Sequence, residues 1–142
     1  MISLNKGRIL ALDIGSARIG AAISDPNQII AQGLGVWSAE TWFDDLDICI
    51  KKFAPSIIVA GLPVRTDGKK STMAEKILEI LEDLKLKYPD INFVTHDERF
   101  TTVIAQRTLL EADTSRKKRK KSVDKIAAVI ILESYLENKL TN

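Results

Sequence analysis

Histidine and cysteine are nearly missing from this chain: it has one of each, His96 and Cys49, in 142 residues. A lone cysteine excludes an internal disulfide, and so few soft donors argue against a zinc centre. Long apolar runs are missing too. The longest, IAAVIIL at 126–132, falls far short of a bilayer span. The opening MISLNKGRIL has no signal-peptide layout, so the expected location is a reducing cytoplasm without membrane attachment. Repeats, low-complexity linkers and an internal boundary are also absent, which leaves one expected domain over residues 1–142.

A strong overall charge is likewise absent, the net value being +2, but its distribution is uneven. Residues 115–125, SRKKRKKSVDK, hold seven basic residues against one acid. The remainder carries 14 basic and 18 acidic residues, a net of −4. A mildly acidic protein with one concentrated basic patch points to a phosphate-bearing partner. The composition, 45% hydrophobic and 28% charged, is that of an ordinary globular chain, so the patch does not signal disorder.

Alternation predicts strands over Arg8–Asp13 and Ile19–Ser24, joined by IGSAR, with a third near QIIAQGLGVW in an antiparallel meander. Ser38 is the expected N-cap of a helix whose Trp42, Leu46, Cys49, Ile50 and Phe53 recur at helical spacing. APSIIVAGLP suits a buried parallel strand. STMAEKILEILEDLKLKY opens with a capping box, Thr72-x-x-Glu75, and continues as an amphipathic helix. INFVTH reads as a strand and TTVIAQRTLLEA as a helix. The basic segment reads as a loop or frayed helix start before a final helix, SVDKIAAVIILESYLENKL. The expected class is α/β: a mixed five-stranded sheet, three antiparallel strands then parallel βα units, flanked by helices.

One residue in the first strand breaks its apolar pattern. Ile9, Ala11 and Asp13 share a face, and an unpaired charge there would cost several kcal/mol. Either something cationic meets Asp13 or the strand ends and the side chain reaches water. Ligands of open α/β sheets bind outside the carboxyl ends of parallel strands. Asp13 closes the first strand, and Asp97 and Glu98 follow the fifth. Asp124, placed in the first turn of the last helix, shares a face with Ala127, Ala128 and Ile131. Hard oxygen donors from three distant segments suit Mg²⁺ or Mn²⁺.

Plainer readings exist for each. Asp13 is a turn former in DIGS, Asp97 caps the ERFTT helix, or Asp124 serves the positive end of its own helix. His96 reads as a loop residue or a hydrogen-bonding neighbour, and the basic run as a solvated loop. Asp124 nonetheless abuts that run, which sets a metal-binding acid beside a phosphate attractor.

Four blocks, LALDIGSARIGAAISD, IIVAGLPVRTDG, DERFTTVIAQRTLLEA and SRKKRKKSVDKIAAVIILESYLE, resemble in order those of the YqgF/RuvX family. These are RNase H-like proteins described as Holliday-junction-resolvase-like and as nucleases maturing the 5′ end of pre-16S rRNA. The resemblance implies an RNase H-like fold and nuclease domain, with catalytic, metal-holding acids at Asp13, Glu98 and Asp124. Asp97 and Asp67 are the alternatives to Glu98, since IIVAGLP carries no acid.

The implied chemistry is two-metal phosphodiester hydrolysis, Asp13 bridging both ions and Glu98 and Asp124 each completing one coordination sphere. Gly15 would permit a sharp turn and close substrate approach. Arg116, Lys117, Lys118, Arg119, Lys120, Lys121 and Lys125 would grip a nucleic-acid backbone without reading sequence. Arg18 and Arg99 either touch phosphates or form internal ion pairs. The expected partner is nucleic acid, pre-rRNA ahead of branched DNA, met by a monomer or weak homodimer. A non-catalytic binding module is the competing class. DIGSARIG also resembles the opening of actin-like ATPases, but 142 residues hardly leave room for their second lobe.

Overall fold

The computed structural model of the chain describes residues 6–63, 71–97 and 116–141, the last stretch with side chains over 126–139. Its strands are β1 (Ile9–Ile14), β2 (Arg18–Ser24), β3 (Ala31–Ser38), β4 (Ile57–Leu62) and β5 (Asn92–Asp97). Its helices are α1 (Trp42–Phe53), α2 (Thr72–Lys87) and α3 (Arg116–Thr141). The expected helix TTVIAQRTLLEA lies outside the described residues. The strands form one mixed sheet in the order β3-β2-β1-β4-β5. β1, β2 and β3 are antiparallel neighbours, while β4 joins β1 and β5 joins β4 in parallel. This is the expected meander followed by βα units.

Period-two alternation divides the core into two layers. Leu10, Leu12, Ile14, Ile19, Ile58, Ala60 and Phe93 point to one face, where α1 and α2 cover them with Trp42, Leu46, Cys49, Ile77, Leu81 and Leu84. Ile9, Ala11, Ala22 and Val59 point to the other, covered by Ala128, Ile131, Leu132 and Leu136 of α3. β1 is buried on both faces, which is why its sequence is almost continuously apolar. β3 is an edge strand, half-buried along most of its length, and bulges at Leu34 where its register on β2 shifts.

The helix starts differ from expectation in three places. Ser38 ends β3, because Trp37 and Ser38 are still paired with Ile19 and Arg18. The α1 N-cap is Thr41, which makes no side-chain cap bond. Ser71, one residue before the expected capping box, caps α2: its Oγ accepts from the Ala74 amide at 3.0 Å. The basic residues 116–121 open α3, which decides for a helix start over a loop and joins them to the final helix expected to begin at Ser122. Lysine and arginine are good helix formers, and neither glycine nor proline interrupts the chain from 116 to 141.

Cys49 is a buried free thiol, as its place on the apolar stripe predicts. Burial pushes its pKa up to about 11. At the far end of α1, Ala54 takes the left-handed conformation at φ 47° and stops the helix before Pro55.

Candidate active site

The carboxyl ends of β1, β4 and β5 meet along one rim of the sheet. Asp13, half-buried, is the penultimate residue of β1 and lies opposite Gly20 of β2. On its other side Leu12 pairs with Ala60, so Gly61 stands level with Asp13, and Gly61 in turn pairs with His96. Asp13 thus has glycine on both neighbouring strands. Neither of these two strand neighbours places a side chain beside the carboxylate.

Alternation decides which groups can converge. Ile9 and Ala11 pack against α3, so Asp13 lies on the α3 face. By the same rule Arg18, four residues before Ala22 and two before Gly20, shares that face at the same rim. His96 also shares it, two strands from Asp13, about 9.5 Å away at normal strand spacing. Asp97 falls on the opposite face, with Phe93 and the α1/α2 layer. As a substitute for Glu98 it is therefore badly placed to share an ion with Asp13. Glu98 itself, Asp67 and Arg99 lie outside the described residues.

Asp124, another of the expected site acids, belongs to α3. Leu136 meets Ile29, Ile30 and Ala31 around one cleft, and Lys139 Nζ donates to Gln28 Oε1 at 3.0 Å. Gln28 Nε2 in turn donates to the Gly7 carbonyl at 3.2 Å. The carboxyl end of α3 therefore sits at the amino end of β1, and the helix runs back along β1 toward Asp13. From Leu136 to position 124 it rises about 18 Å, against about 13 Å from Ile9 to Asp13. The turn that carries Asp124 thus reaches the rim where β1 ends. Position 124 precedes Ala128 by four residues and Ile131 by seven, in line with the stripe that covers the sheet.

Asp124 is the ninth residue of α3, not part of its first turn. It lies beyond the reach of the helix's positive end, so that plainer reading fails. Arg116, Lys117, Lys118, Arg119, Lys120 and Lys121 occupy the turns before it, and Lys125 follows it, on the same helical backbone. Among the described residues no three His, Cys, Asp or Glu side chains are grouped to hold a metal ion.

Two residues have specific structural work here. The Gly15 amide donates to the Arg18 carbonyl at 3.0 Å and closes the β1–β2 turn. A Cβ at Gly15 would stand 2.7 Å from that carbonyl, so the turn itself requires glycine. His96 belongs to a strand, not a loop, and is buried. Its Nε2 is hydrogen-bonded to Ser134 Oγ of α3 at 2.9 Å. Burial lowers the pKa of His96, and the neighbouring Asp97 charge opposes that shift. Sequence reasoning anticipated His96 as a hydrogen-bonding neighbour and passed over Ser134. The available signal was a hydroxyl between Ile131 and Tyr135 in an otherwise apolar stripe.

The sequence profile of the RuvX family, described as "Holliday junction resolvase", matches residues 7–138. The chain belongs to the RuvX family. It is 44% identical over 137 residues to a "Putative pre-16S rRNA nuclease" of Clostridium novyi, covering 92% of this chain and 98% of the relative. A protein of the same name from Natranaerobius thermophilus is 40% identical over 136 residues, covering 94% and 96%. The structure of Thermus thermophilus RuvC in complex with a Holliday junction substrate superposes with a TM-score of 0.56 at 11% identity, covering 94% of this chain and 96% of that one. The yeast mitochondrial Holliday junction resolvase gives 0.52 at 11%, covering 95% and 80%. At such identities the likeness shows the fold: RNase H-like, as in the RuvC resolvases. Among the described residues, no helix is long and apolar enough to cross a membrane.

Proposed function

We propose that this chain is a divalent-metal-dependent endonuclease that hydrolyses phosphodiester bonds of structured nucleic acid, in 5′-end maturation of pre-16S rRNA. What supports the reading is placement along the fold: Asp13, next to last in β1, lies on the face that α3 covers, and Asp124 follows the basic turns of that same helix. Relatives at 40% and 44% identity carry a pre-16S rRNA nuclease name over nearly their whole length.

Asp13, Asp124 and Glu98, the residue after β5, would hold the ions. Mg²⁺ or Mn²⁺ bound there would activate a water and neutralise the leaving oxygen. The donor chemistry fits, because Asp13 is a half-buried hard oxygen donor of the kind that Mg²⁺ and Mn²⁺ take. Arg116 to Lys121 and Lys125 would hold the phosphate backbone and position it without reading bases, and Arg99 would touch phosphate near the cleavage point. Arg18 would meet phosphate near the scission point. The protein would work in the cytoplasm as a monomer or weak homodimer.

Resolution of four-way DNA junctions is the second reading, favoured by the family description and the RuvC-like fold. Purified protein incubated in parallel with pre-16S leader fragments and four-way junctions, with and without Mg²⁺ or Mn²⁺, separates them. Metal-dependent cleavage of the leader fragment is expected. Cleavage of junctions alone would transfer the assignment to DNA, and binding without cleavage in any metal would reduce the protein to a binding module.

A further inference from the structure

The α3 face of the sheet is held mostly by apolar contacts between Ile9, Ala11, Ala22 and Val59 below and Ala128, Ile131, Leu132 and Leu136 above. Such contacts have no direction. They favour burial but tolerate a helix that slides or turns by a fraction of a residue. α3 rests mainly on β1, β2 and β3, touches β4 less, and must still hold Asp124 in fixed relation to groups at both ends of the rim.

A polar contact between α3 and β5 supplies direction on that side of the sheet. His96 is 8% exposed, and its Nε2 meets Ser134 Oγ at 2.9 Å across the seam between β5 and α3. A hydrogen bond has a narrow range of length and angle, and breaking this part-buried one takes from the buried imidazole its Ser134 partner. It therefore penalises rotation or translation of α3 far more steeply than the surrounding methyl groups do. β5 leads, two residues past His96, into Glu98. Ser134 lies ten residues past Asp124 on the same helix.

We infer that the His96–Ser134 hydrogen bond is a strut that fixes α3 against the end of β5 and so sets the spacing of the acids carried by the two segments. His96 and Ser134 are positioning residues: they act through the helix and strand that they join. A group about 6 Å from a helix axis moves about 1 Å for each 10° of rotation, and a 1 Å misplacement can cost about 100-fold in rate. The inference rests on the nuclease reading for its consequence, but the strut itself can be read without catalysis.

The test uses His96→Ala, Ser134→Ala, the double variant and His96→Gln, whose amide nitrogen restores a polar group near the Nε2 position. Spin labels at Ser122→Cys and Asn92→Cys, in a Cys49→Ala background, report the distance between the early turns of α3 and β5. The distance distribution should broaden in both alanine variants and narrow again in His96→Gln. Turnover on the cleaved substrate should fall by about 10- to 100-fold with KM little changed, and the double variant should be no worse than the poorer single one. An unbroadened distribution overturns the strut, and so do additive losses or a raised KM with turnover intact. If the parent protein cleaves nothing, the nuclease reading fails, while the label distances still decide whether the strut exists. Should His96→Ala fail to fold, the distances in Ser134→Ala and His96→Gln decide the same question.

Discussion

The two faces of this sheet are built for different ends. The face under α1 and α2 is filled with large side chains, Leu10, Leu12, Ile19, Leu46, Ile58 and Ile77, packed to near-complete burial. The face under α3 has alanines at Ala11, Ala22 and Ala128, the polar pair His96 and Ser134, and Asp13 at its rim. Mainly bulky apolar packing, with Ala21 and Ala60 among it, gives one face its contribution to stability. The other combines Ile9, Ile131, Leu132 and Leu136 with smaller and polar groups, under the helix whose earlier turns carry Asp124. A single strand, β1, serves both, and alternation alone sends Leu12 to one face and Asp13 to the other.

If that division holds, substitutions on opposite faces should fail in different ways. The largest difference lies at the strand ends. Asp13→Asn should lower metal-dependent cleavage by about 10³-fold or more, while Asp97→Asn, at the same rim on the other face, should cost less than about tenfold. Single-turnover rates on one substrate check both. Leu46→Ala should destabilise by about 2–5 kcal/mol in urea melts while cleavage per folded molecule stays near the parent value. Equal loss of rate would mean that the two faces are not independent.

The basic turns of α3 offer a graded test. Neutralising Arg116, Lys117 and Lys118 together should weaken binding to all sequences and flatten the slope of log affinity against log salt by about 2 to 3. An unchanged slope would assign the patch another purpose.

The α1/α2 face also has its own response to pH. Burial holds the Cys49 thiol at about 11 and, with a hydrogen bond to Asp47, the Tyr88 hydroxyl at about 12, against ordinary values of 9.0 and 10.0. Folding raises both, so their contribution is complete below about pH 9 and is lost as the pH climbs through 11 and 12. Melting temperature followed from pH 8 to 12 should fall over that range, and less steeply in Tyr88→Phe. Thiol reagents should modify Cys49 slowly at pH 8 and readily once urea unfolds the chain. The smallest effect is expected at Ala54, whose left-handed conformation at φ 47° favours glycine. Ala54→Gly should raise stability by about 0.5–1 kcal/mol.

Much of this division is legible in the sequence. Continuous burial of ILALDI, the short run IIVAG and the helical stripe around Cys49 place the strands and α1 without coordinates. Asp13 is conspicuous because one charge interrupts an apolar face. Details decided by competition between neighbours are harder to read. Ser38 has the chemistry of a cap, but its pairing with Arg18 keeps it in the sheet. Ser71 displaces Thr72 by a single position. The run RKKRKK resembles a loop by charge, yet its residues favour helix once Ile131 and Leu132 anchor the turns that follow. The pairing of His96 with Ser134, 38 residues apart, is beyond any local pattern.

The most direct measurement is a Mn²⁺ titration of the folded protein beside Asp13→Asn and Asp97→Asn, with substrate absent. Saturable binding in the parent and in Asp97→Asn, lost in Asp13→Asn with the melting temperature maintained, is the predicted result. Binding that survives in Asp13→Asn and disappears in Asp97→Asn would put the ion on the α1/α2 face and contradict the assignment.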